Sequence, residues 1–222
     1  MTISAPTIAE QVAGLEASLA PQLPAEALQA FAAEQAGLAA AGLPSGIAEV
    51  GTPMPDGDLL DVRGEHTTLA AARAGRPAVV VFYRGAWCPY CNLTLRAYQE
   101  QLVPGLARRG VALVAISPQR PDGSLTIRET HELTFAVLSD PGNRLAGALG
   151  ILTAPTDEVR AAQASLGLVV AEGNADGTDT LPMPTVVLVD AAGVMRWIDV
   201  HPNYATRSEP SQILEVVDAL SL

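Results

Sequence analysis

Two cysteines separated by two residues are the only thiols in this 222-residue chain. Cys88 and Cys91 lie in the segment WCPYC at residues 87–91. The four-residue turn RGAW, residues 84–87, joins the first cysteine to the apolar run VVVFY at residues 79–83. A buried strand, a short turn and two thiols at the start of a helix are typical of a redox centre that alternates between dithiol and disulfide. The spacing therefore predicts thiol chemistry at this turn.

The predicted helix favours ionisation of a thiol in its first turn. Only a thiolate attacks a disulfide or a peroxide, and a free thiol has a pKa of about 8.5. Unpaired N–H groups and the helix dipole stabilise negative charge at a helix N-terminus. Pro89 suits the first helical position, which makes Cys88 the N-cap and places Cys91 one turn further on. Arg84 is the nearest cation in the sequence and could lower a thiol pKa further.

Two alternatives to redox chemistry fit the sequence less well. The cysteines could be inert core residues, but their position at a predicted strand-to-helix turn argues against this. A zinc site usually needs four ligands, and the chain has no second cysteine pair and only scattered histidines, His66, His131 and His201. We therefore expect no metal and no organic cofactor. We expect His131 and His201 to be surface or strand-end residues rather than catalysts.

Composition and charge limit the possible partners. A chain of 222 residues makes one domain with an extension or one large domain, and its 49% hydrophobic content suffices for a core. Its net charge is −11. This charge argues against a nucleic-acid backbone or an anionic membrane surface as a partner. The first residues lack the pattern of a signal peptide, and no stretch resembles a membrane span. We expect a cytoplasmic protein, where a CxxC motif is more often catalytic than structural.

The chain divides into a helical extension, residues 1–45, and a main domain, residues 46–222. Two stretches of the extension carry apolar residues at helical spacing and are separated by Pro21 and Pro24. This helical pair could cap the core of the domain or form a homodimer contact, and the sequence leaves both open. Residues 150–181 mix a helix-like piece, a short apolar run and a Gly/Asp-rich loop. We interpret them as an insertion over one edge of the site that could serve partner recognition.

The order of the remaining elements predicts an α/β fold, a mixed central sheet with helices on both faces. The CxxC follows the first central strand, Met183-Pro184-Thr185 opens a later one, and a β-hairpin and a closing helix end the chain. These features resemble the thioredoxin fold over residues 46–222. The resemblance implies that the bond before Pro184 is cis and that this proline lies against the CxxC. It also suggests supporting roles in the site for Trp87, Pro89 and Thr185.

More closely, the chain is similar to the peroxiredoxin-like branch of the alkyl hydroperoxide reductase/thiol-specific antioxidant family. The matching segments are FYRGAWCPYCN (82–92), VAISPQRPD (114–122), FAVLSD (135–140), PTVVLVDAAG (184–193) and NYATRSEP (203–210). The resemblance implies an antioxidant enzyme that reduces hydrogen peroxide or organic hydroperoxides. It also implies a thioredoxin- or glutaredoxin-type electron donor.

The sequence departs from the usual pattern of that family at three positions. Typical members carry Pro-x-x-x-Thr-x-x-Cys, in which the last residue attacks the peroxide. When this motif is laid on Cys91, Arg84 occupies the Pro position and Cys88 the Thr position. The arginine that the family places before a later strand falls near Pro184. We expect Arg84 or Arg207 to supply the cation that a peroxide site needs.

Two mechanisms follow, and they assign the two sulfurs differently. In a dithiol oxidoreductase, an exposed Cys88 thiolate attacks a substrate disulfide and Cys91 resolves the mixed disulfide. In a peroxidase, one thiolate becomes a sulfenic acid, and the other thiol condenses with it to a Cys88–Cys91 disulfide. The motif alignment favours Cys91 as the attacker, but the electrostatics of the helix N-terminus favour Cys88, and we predict Cys88. A redox-sensing binding module without turnover is a third possibility.

Overall fold

Nine strands form two sheets in the computed structural model, which describes residues 5–221. The strands are β1 (Leu59–Leu60), β2 (His66–Thr67), β3 (Ala78–Phe82), β4 (Ala112–Ser117), β5 (Ala136–Ser139), β6 (Leu152–Thr153), β7 (Leu181–Pro182), β8 (Thr185–Val189) and β9 (Met195–Val200). Seven of them form a mixed sheet in the order β2-β1-β5-β4-β3-β8-β9, and β6 pairs with β7. Strands β3, β4 and β5 are parallel, whereas β8 runs antiparallel to β3 and to β9.

Within residues 5–221, ten α-helices connect and flank these strands. They are α1 (Ile8–Leu19), α2 (Ala25–Ala41), α3 (Leu69–Arg73), α4 (Pro89–Ala97), α5 (Val103–Arg108), α6 (Pro121–Thr130), α7 (Arg144–Ala148), α8 (Asp157–Ser165), α9 (Val170–Gly173) and α10 (Pro210–Ala219). No helix within residues 5–221 is both long enough and apolar enough to cross a membrane.

The central strand β3 is buried on both faces, as its continuous apolar sequence predicts. Val79 and Val81 face a core that includes residues of α4 and α10. Val80 and Phe82 face a second core, to which α3 and α7 contribute. The predicted α/β architecture, with a mixed sheet and helices on both faces, is therefore confirmed.

The helix that carries the cysteines changes its winding before it ends. Helix α4 passes into a π-helical turn, Tyr98–Leu102, and continues as α5. Pro104 lies in the first turn of α5, where its missing N–H is tolerated and where the preceding chain has to deviate from regular α-helix.

One expectation about the backbone is wrong. Every peptide bond within residues 5–221 is trans, including the bond before Pro184. Thr185 continues directly into β8 and pairs with Phe82 of β3, so Pro184 lies immediately before a regular strand rather than in a tight turn. A trans proline suits such a position, because its φ is close to that of an extended chain.

Both predicted N-terminal helices are present and pack on the rest of the chain. Helix α1 begins with a capping box formed by Thr7 and Glu10, and it contacts α4. The carboxylate of Glu209 accepts hydrogen bonds from the N–H groups of Ile8 (2.8 Å) and Ala9 (2.9 Å). Helix α2 contacts α8. The extension therefore lies over the helix that carries the cysteines.

The link between Glu209 and α1 should contribute measurably to stability. Glu209→Gln removes a full negative charge from the N-terminus of α1, and we expect it to lower the free energy of unfolding by about 1 kcal/mol. Urea denaturation compared with Glu215→Gln, an exposed residue of the same α10 helix, would measure this difference. Equal midpoints for the two variants would show that this contact does not hold α1 in place.

Residues 150–181 are more regular than the sequence suggested, since they contain β6, α8, α9 and β7. The segment is tied to the loop after β4 by two backbone hydrogen bonds. The N–H of Arg120 donates to the carbonyl of Gly173, and the N–H of Ala175 donates to the carbonyl of Pro118, each at 2.9 Å. Because β4 ends beside β3, these bonds bring the segment towards the turn that carries the cysteines.

Candidate functional site

The two cysteines occupy the predicted positions at the start of α4. Cys88 is the N-cap and Pro89 is the first helical residue. Cys91 lies one turn further, and both cysteines are free thiols. Their sulfur atoms are hydrogen bonded at 2.9 Å. The fold therefore brings the two sulfurs together without any movement of the helix.

The predicted exposure of Cys88 is wrong. The residue is only 1% exposed, and Cys91 is 0% exposed. The start of α4 is covered because the extension packs against it: the hydroxyl of Tyr90 donates to Glu16 (3.1 Å), and Gln35 donates to the same hydroxyl (3.4 Å). The sequence pattern of α4 alone could not show a cover built from residues so distant in the chain.

The structure also reverses the predicted order of thiol acidity. Burial, the hydrogen bond with Cys91 and the charge of the Cys91 thiolate raise the pKa of Cys88 well above its ordinary value. Burial opposes ionisation of Cys91 as well. The hydrogen bond with Cys88 and the positive charges of Arg207 and Arg84 nevertheless lower the pKa of Cys91 to about 5. With Cys91 ionised, the remaining proton of the pair lies on Cys88.

The acidity of Cys91 predicts a pH dependence that can be observed directly. The thiolate should be present at neutral pH and should be lost as the pH falls through about 5, because a lowered pKa keeps the group ionised down to that value. Ultraviolet thiolate absorbance in Cys88→Ser and Cys91→Ser would measure this titration. A titration near pH 5 that persists in Cys91→Ser would contradict the assignment.

Arg207 is the cation in contact with the ionised sulfur. Its Nη2 atom lies 3.5 Å from the sulfur of Cys91. The guanidinium is oriented by hydrogen bonds that Nη1 donates to the carbonyl of Tyr204 and, at 2.6 Å, to the carbonyl of Thr206. The sequence identified Arg207 as a candidate cation, and the structure places it at Cys91.

Arg84 is the second cation of the site, and the residue is only 5% exposed. Its guanidinium carbon lies 4.1 Å from the ring centre of Tyr204 and 5.0 Å from that of Trp87. A desolvated guanidinium over aromatic faces is stabilised by the ring quadrupoles. The backbone N–H of Arg84 also donates a hydrogen bond that lowers the pKa of Cys91. The structure thus places Trp87 in contact with the Arg84 guanidinium.

A small cavity of about 10 Å³ borders Cys91, and Arg207 also lines it. Pro184 and Thr185 form part of its wall, so the structure brings both predicted residues beside the CxxC helix. The hydroxyl of Thr185 donates to the carbonyl of Met183 at 2.9 Å and is thereby occupied. A cavity of this volume holds about one water-sized group.

Several residues that fix the turn around the cysteines were not identified as site residues from the sequence. Gln119 accepts a hydrogen bond from the N–H of Ala86 (2.7 Å) and donates to the hydroxyl of Tyr83 (2.8 Å). Asn92 donates to the carbonyl of Ala86 at 2.8 Å. All of these lie in the segments FYRGAWCPYCN and VAISPQRPD, which carried the family resemblance, and that signal could have found them.

His201 follows β9, a strand-end position as predicted. Its ring contacts the hydroxyl of Thr206 (2.8 Å) and the carboxylate of Asp199 (3.1 Å), to which Ser208 also donates (2.8 Å). These bonds fix the loop that carries Arg207. His131 lies at the end of α6, away from these contacts. Within residues 5–221, no three His, Cys, Asp or Glu side chains are grouped as metal ligands would be.

Comparison with known proteins places this site in a family. The sequence model of the AhpC/TSA family matches residues 50–198, which is more than half of the chain. The chain belongs to the AhpC/TSA family. The match includes both cysteines, Arg84 and Pro184, but it ends before Arg207 and begins after the two N-terminal helices.

Individual relatives agree with this membership. A Mycobacterium tuberculosis protein whose name assigns it provisionally to the peroxiredoxins is 34% identical over 100 residues, which is 45% of this chain and 62% of that relative. The chain thus spans about three-fifths of the length of the relative it matches. Among solved structures, reduced Prx3 of Vibrio vulnificus in complex with H2O2 has a TM-score of 0.62 at 18% identity, covering 77% of this chain and 99% of the other.

A peroxiredoxin-like protein from Aquifex aeolicus has a TM-score of 0.61 at 15% identity, covering 78% of this chain and 88% of the other. At such identities a structural likeness shows the fold. The fold is therefore the thioredoxin-like fold of the peroxiredoxins, as the sequence predicted.

Proposed function

We propose that this protein is a thiol-dependent peroxidase of the peroxiredoxin type, with Cys91 as the attacking thiolate and Cys88 as the resolving thiol. One observation carries the proposal. A thiol whose pKa is lowered to about 5 has a second thiol 2.9 Å away and a guanidinium 3.5 Å away. These are a nucleophile, a resolving group and a cation for a peroxide oxygen. This assignment replaces the prediction of Cys88 as the attacker.

In the first step, the Cys91 thiolate attacks the terminal oxygen of the hydroperoxide, and the O–O bond breaks. The sulfur gains that oxygen and its hydrogen as a sulfenic acid, and the leaving oxygen takes the electron pair of the broken bond. Cys88 holds a proton beside the reacting sulfur and can donate it to the leaving alkoxide or hydroxide. Arg207 stabilises the negative charge that passes from sulfur to oxygen.

In the second step, Cys88 attacks the sulfenic sulfur of Cys91, and hydroxide leaves as the disulfide forms. Cys88 is the N-cap of α4, Cys91 lies one turn further on, and their sulfurs are 2.9 Å apart, so this condensation needs little chain movement. Two thiol groups of an electron donor then reduce the disulfide by exchange and become a disulfide themselves. We infer a thioredoxin- or glutaredoxin-type donor, as the family resemblance implies.

Disulfide exchange is a second candidate function, and the position of Cys88 favours it. Cys88 is the N-cap of α4 and borders a larger cavity, whereas Cys91 does not line that cavity. In a Cys88–Cys91 disulfide, Cys88 is thus the sulfur nearer to an incoming thiol. Cys91 is the better leaving group because its pKa is lower.

Steady-state peroxide consumption tests the proposed function against this alternative. The reduced protein is incubated with hydrogen peroxide or tert-butyl hydroperoxide, with dithiothreitol or a thioredoxin system as the donor. We expect turnover that requires both cysteines. Reduction of a protein disulfide without peroxide turnover would favour the exchange function, and a single oxidation without turnover would favour a redox sensor.

A further inference from the structure

The two sulfurs of the site face different spaces, although they are only 2.9 Å apart. Cys88 lines an apolar cavity of about 240 Å³, whereas Cys91 lines the small cavity that Arg207 also borders. Cys88 is 1% exposed and Cys91 is 0% exposed. A reactant that reaches either sulfur must therefore pass through a space beside that sulfur.

A groove of about 350 Å³ lies next to Arg207, between helix α1 and residues 203–209. Arg207 lines both this groove and the small cavity at Cys91. Its Nη2 atom is 3.5 Å from the sulfur of Cys91. A small molecule that passes this guanidinium from the groove therefore arrives at Cys91.

The groove and the cavity at Cys88 differ in their chemistry. Besides Arg207, the groove contains five side chains with hydrogen-bonding groups: Glu16, Gln35, Asn203, Thr206 and Glu209. The cavity is lined by five apolar side chains from the N-terminal helices, their connection and the segment after α8: Leu19, Leu23, Phe31, Leu166 and Leu168. A hydroperoxide donates and accepts hydrogen bonds and suits the groove. A thiol is only a weak hydrogen-bond donor and suits the apolar cavity.

A hydrogen-bonded partition separates the two spaces. The hydroxyl of Tyr90, which lines the cavity, donates to Glu16, which lines the groove, at 3.1 Å. Gln35 lines both spaces and donates to the same hydroxyl at 3.4 Å. Glu16 belongs to α1 and Gln35 to α2. The N-terminal extension therefore forms part of the partition.

We propose that the two reactants reach the two sulfurs by separate routes: the hydroperoxide through the groove to Cys91, and the thiol of the electron donor through the apolar cavity to Cys88. In the reductive step, the donor thiolate attacks the Cys88 sulfur, the Cys88–Cys91 bond breaks, and Cys91 leaves as a thiolate. The second thiol of the donor then displaces Cys88 from the mixed disulfide, and the donor becomes a disulfide. The inference rests on the proposed peroxidase function, because it assigns a route to each reactant of that reaction.

Two substitutions that each fill one space test the separation. Ala13 is exposed on the groove and Leu166 is 43% exposed on the cavity, so Ala13→Trp and Leu166→Trp should fold normally. The matched controls are Ala17→Trp, on the same helix as Ala13, and Leu220→Trp, at a residue that is 39% exposed. Neither control residue lines the groove or the cavity. Quench-flow mixing with mass spectrometry measures two rates separately: oxidation of the reduced protein by hydrogen peroxide, and reduction by dithiothreitol of the disulfide prepared with diamide.

We expect each substitution to slow only the step whose route it fills. Ala13→Trp should slow oxidation about tenfold without slowing reduction, and Leu166→Trp should slow reduction about tenfold without slowing oxidation. The reason is that a reactant that must wait for a side chain to move associates more slowly. Neither control should change either rate. If either substitution slows both steps equally or leaves its own step unchanged, the proposal is overturned.

Alkylation separates failure of this inference from failure of the proposed function. Iodoacetamide reacts with thiolates, and Cys91 is the ionised sulfur at neutral pH. We expect Ala13→Trp, but not Ala17→Trp or Leu166→Trp, to slow alkylation of Cys91, as followed by peptide mapping. If hydrogen peroxide does not oxidise the wild-type protein, the proposed function fails, whereas alkylation and dithiothreitol reduction still decide the two routes. Equal alkylation of Cys91 in all variants would overturn the route through the groove even in an active peroxidase.

Discussion

Replacing Cys91 by serine is expected to slow oxidation of the reduced protein by hydroperoxide by about a thousandfold or more, because the attacking thiolate is lost. Cys88→Ser should retain rapid oxidation but should stop at the sulfenic acid, because the resolving thiol is missing. Stopped-flow kinetics give the rates, and trapping with dimedone followed by mass spectrometry identifies the oxidised residue. We expect the dimedone adduct on Cys91 in Cys88→Ser.

The choice of serine at position 88 matters, because its hydroxyl can still donate a hydrogen bond to the Cys91 thiolate. Cys88→Ala removes that donor, which contributes to the lowered pKa of Cys91. The alanine variant should therefore have a higher Cys91 pKa than the serine variant. Rapid oxidation that survives in Cys91→Ser and disappears in Cys88→Ser would reverse the roles that we assign to the sulfurs.

The second large effect is expected at Arg207. Arg207→Gln removes a positive charge that lies 3.5 Å from the sulfur of Cys91. The pKa of Cys91 should then rise from about 5 to about 6–7, because an adjacent opposite charge favours the ionised form. The oxidation rate should fall by about tenfold to a hundredfold even at a pH where the thiolate is fully formed, since the charge that develops on the leaving oxygen loses its cation.

The pH–rate profile separates these two contributions. The loss of acidity moves the rising limb of the profile to higher pH, and the loss of transition-state stabilisation lowers its plateau. Arg207→Lys should restore the limb and part of the plateau. Arg160→Gln, a change at an exposed arginine of α8, is the matched control, and it should neither move the rising limb nor lower the plateau of the wild-type profile. An unchanged profile in Arg207→Gln would exclude Arg207 from the reaction.

Most of the framework could be predicted because its signals are local. The continuous apolar run of β3 indicates that the strand is buried on both faces, and Pro89 after Cys88 indicates where α4 begins. The N-cap of α3 is a local feature of the same kind, since the side chain of Thr68 accepts a hydrogen bond from the N–H of Ala71. Such features depend on residues within one or two turns, and the sequence shows those directly.

The acidity of the two thiols could not be predicted in the same way. It depends on Arg207, which is 116 residues from Cys91 in the chain, and on burial beneath the N-terminal helices. The sequence showed two kinds of electrostatic influence, the helix N-terminus and the candidate cations Arg84 and Arg207, and only the helix N-terminus distinguished the two sulfurs, in favour of Cys88. Burial and the hydrogen bond between the two sulfurs outweigh that influence. The cavity beside Cys88 was hidden for the same reason, since its walls come from three separate segments.

The central claim is that Cys91 is a thiolate prepared to reduce a peroxide bond. The most direct test is the second-order rate constant for oxidation of the reduced wild-type protein by hydrogen peroxide and cumene hydroperoxide in stopped-flow measurements at neutral pH. We predict rapid oxidation with formation of the Cys88–Cys91 disulfide, at a rate far above that of a free low-molecular-weight thiol. Oxidation no faster than that of such a thiol would contradict the claim.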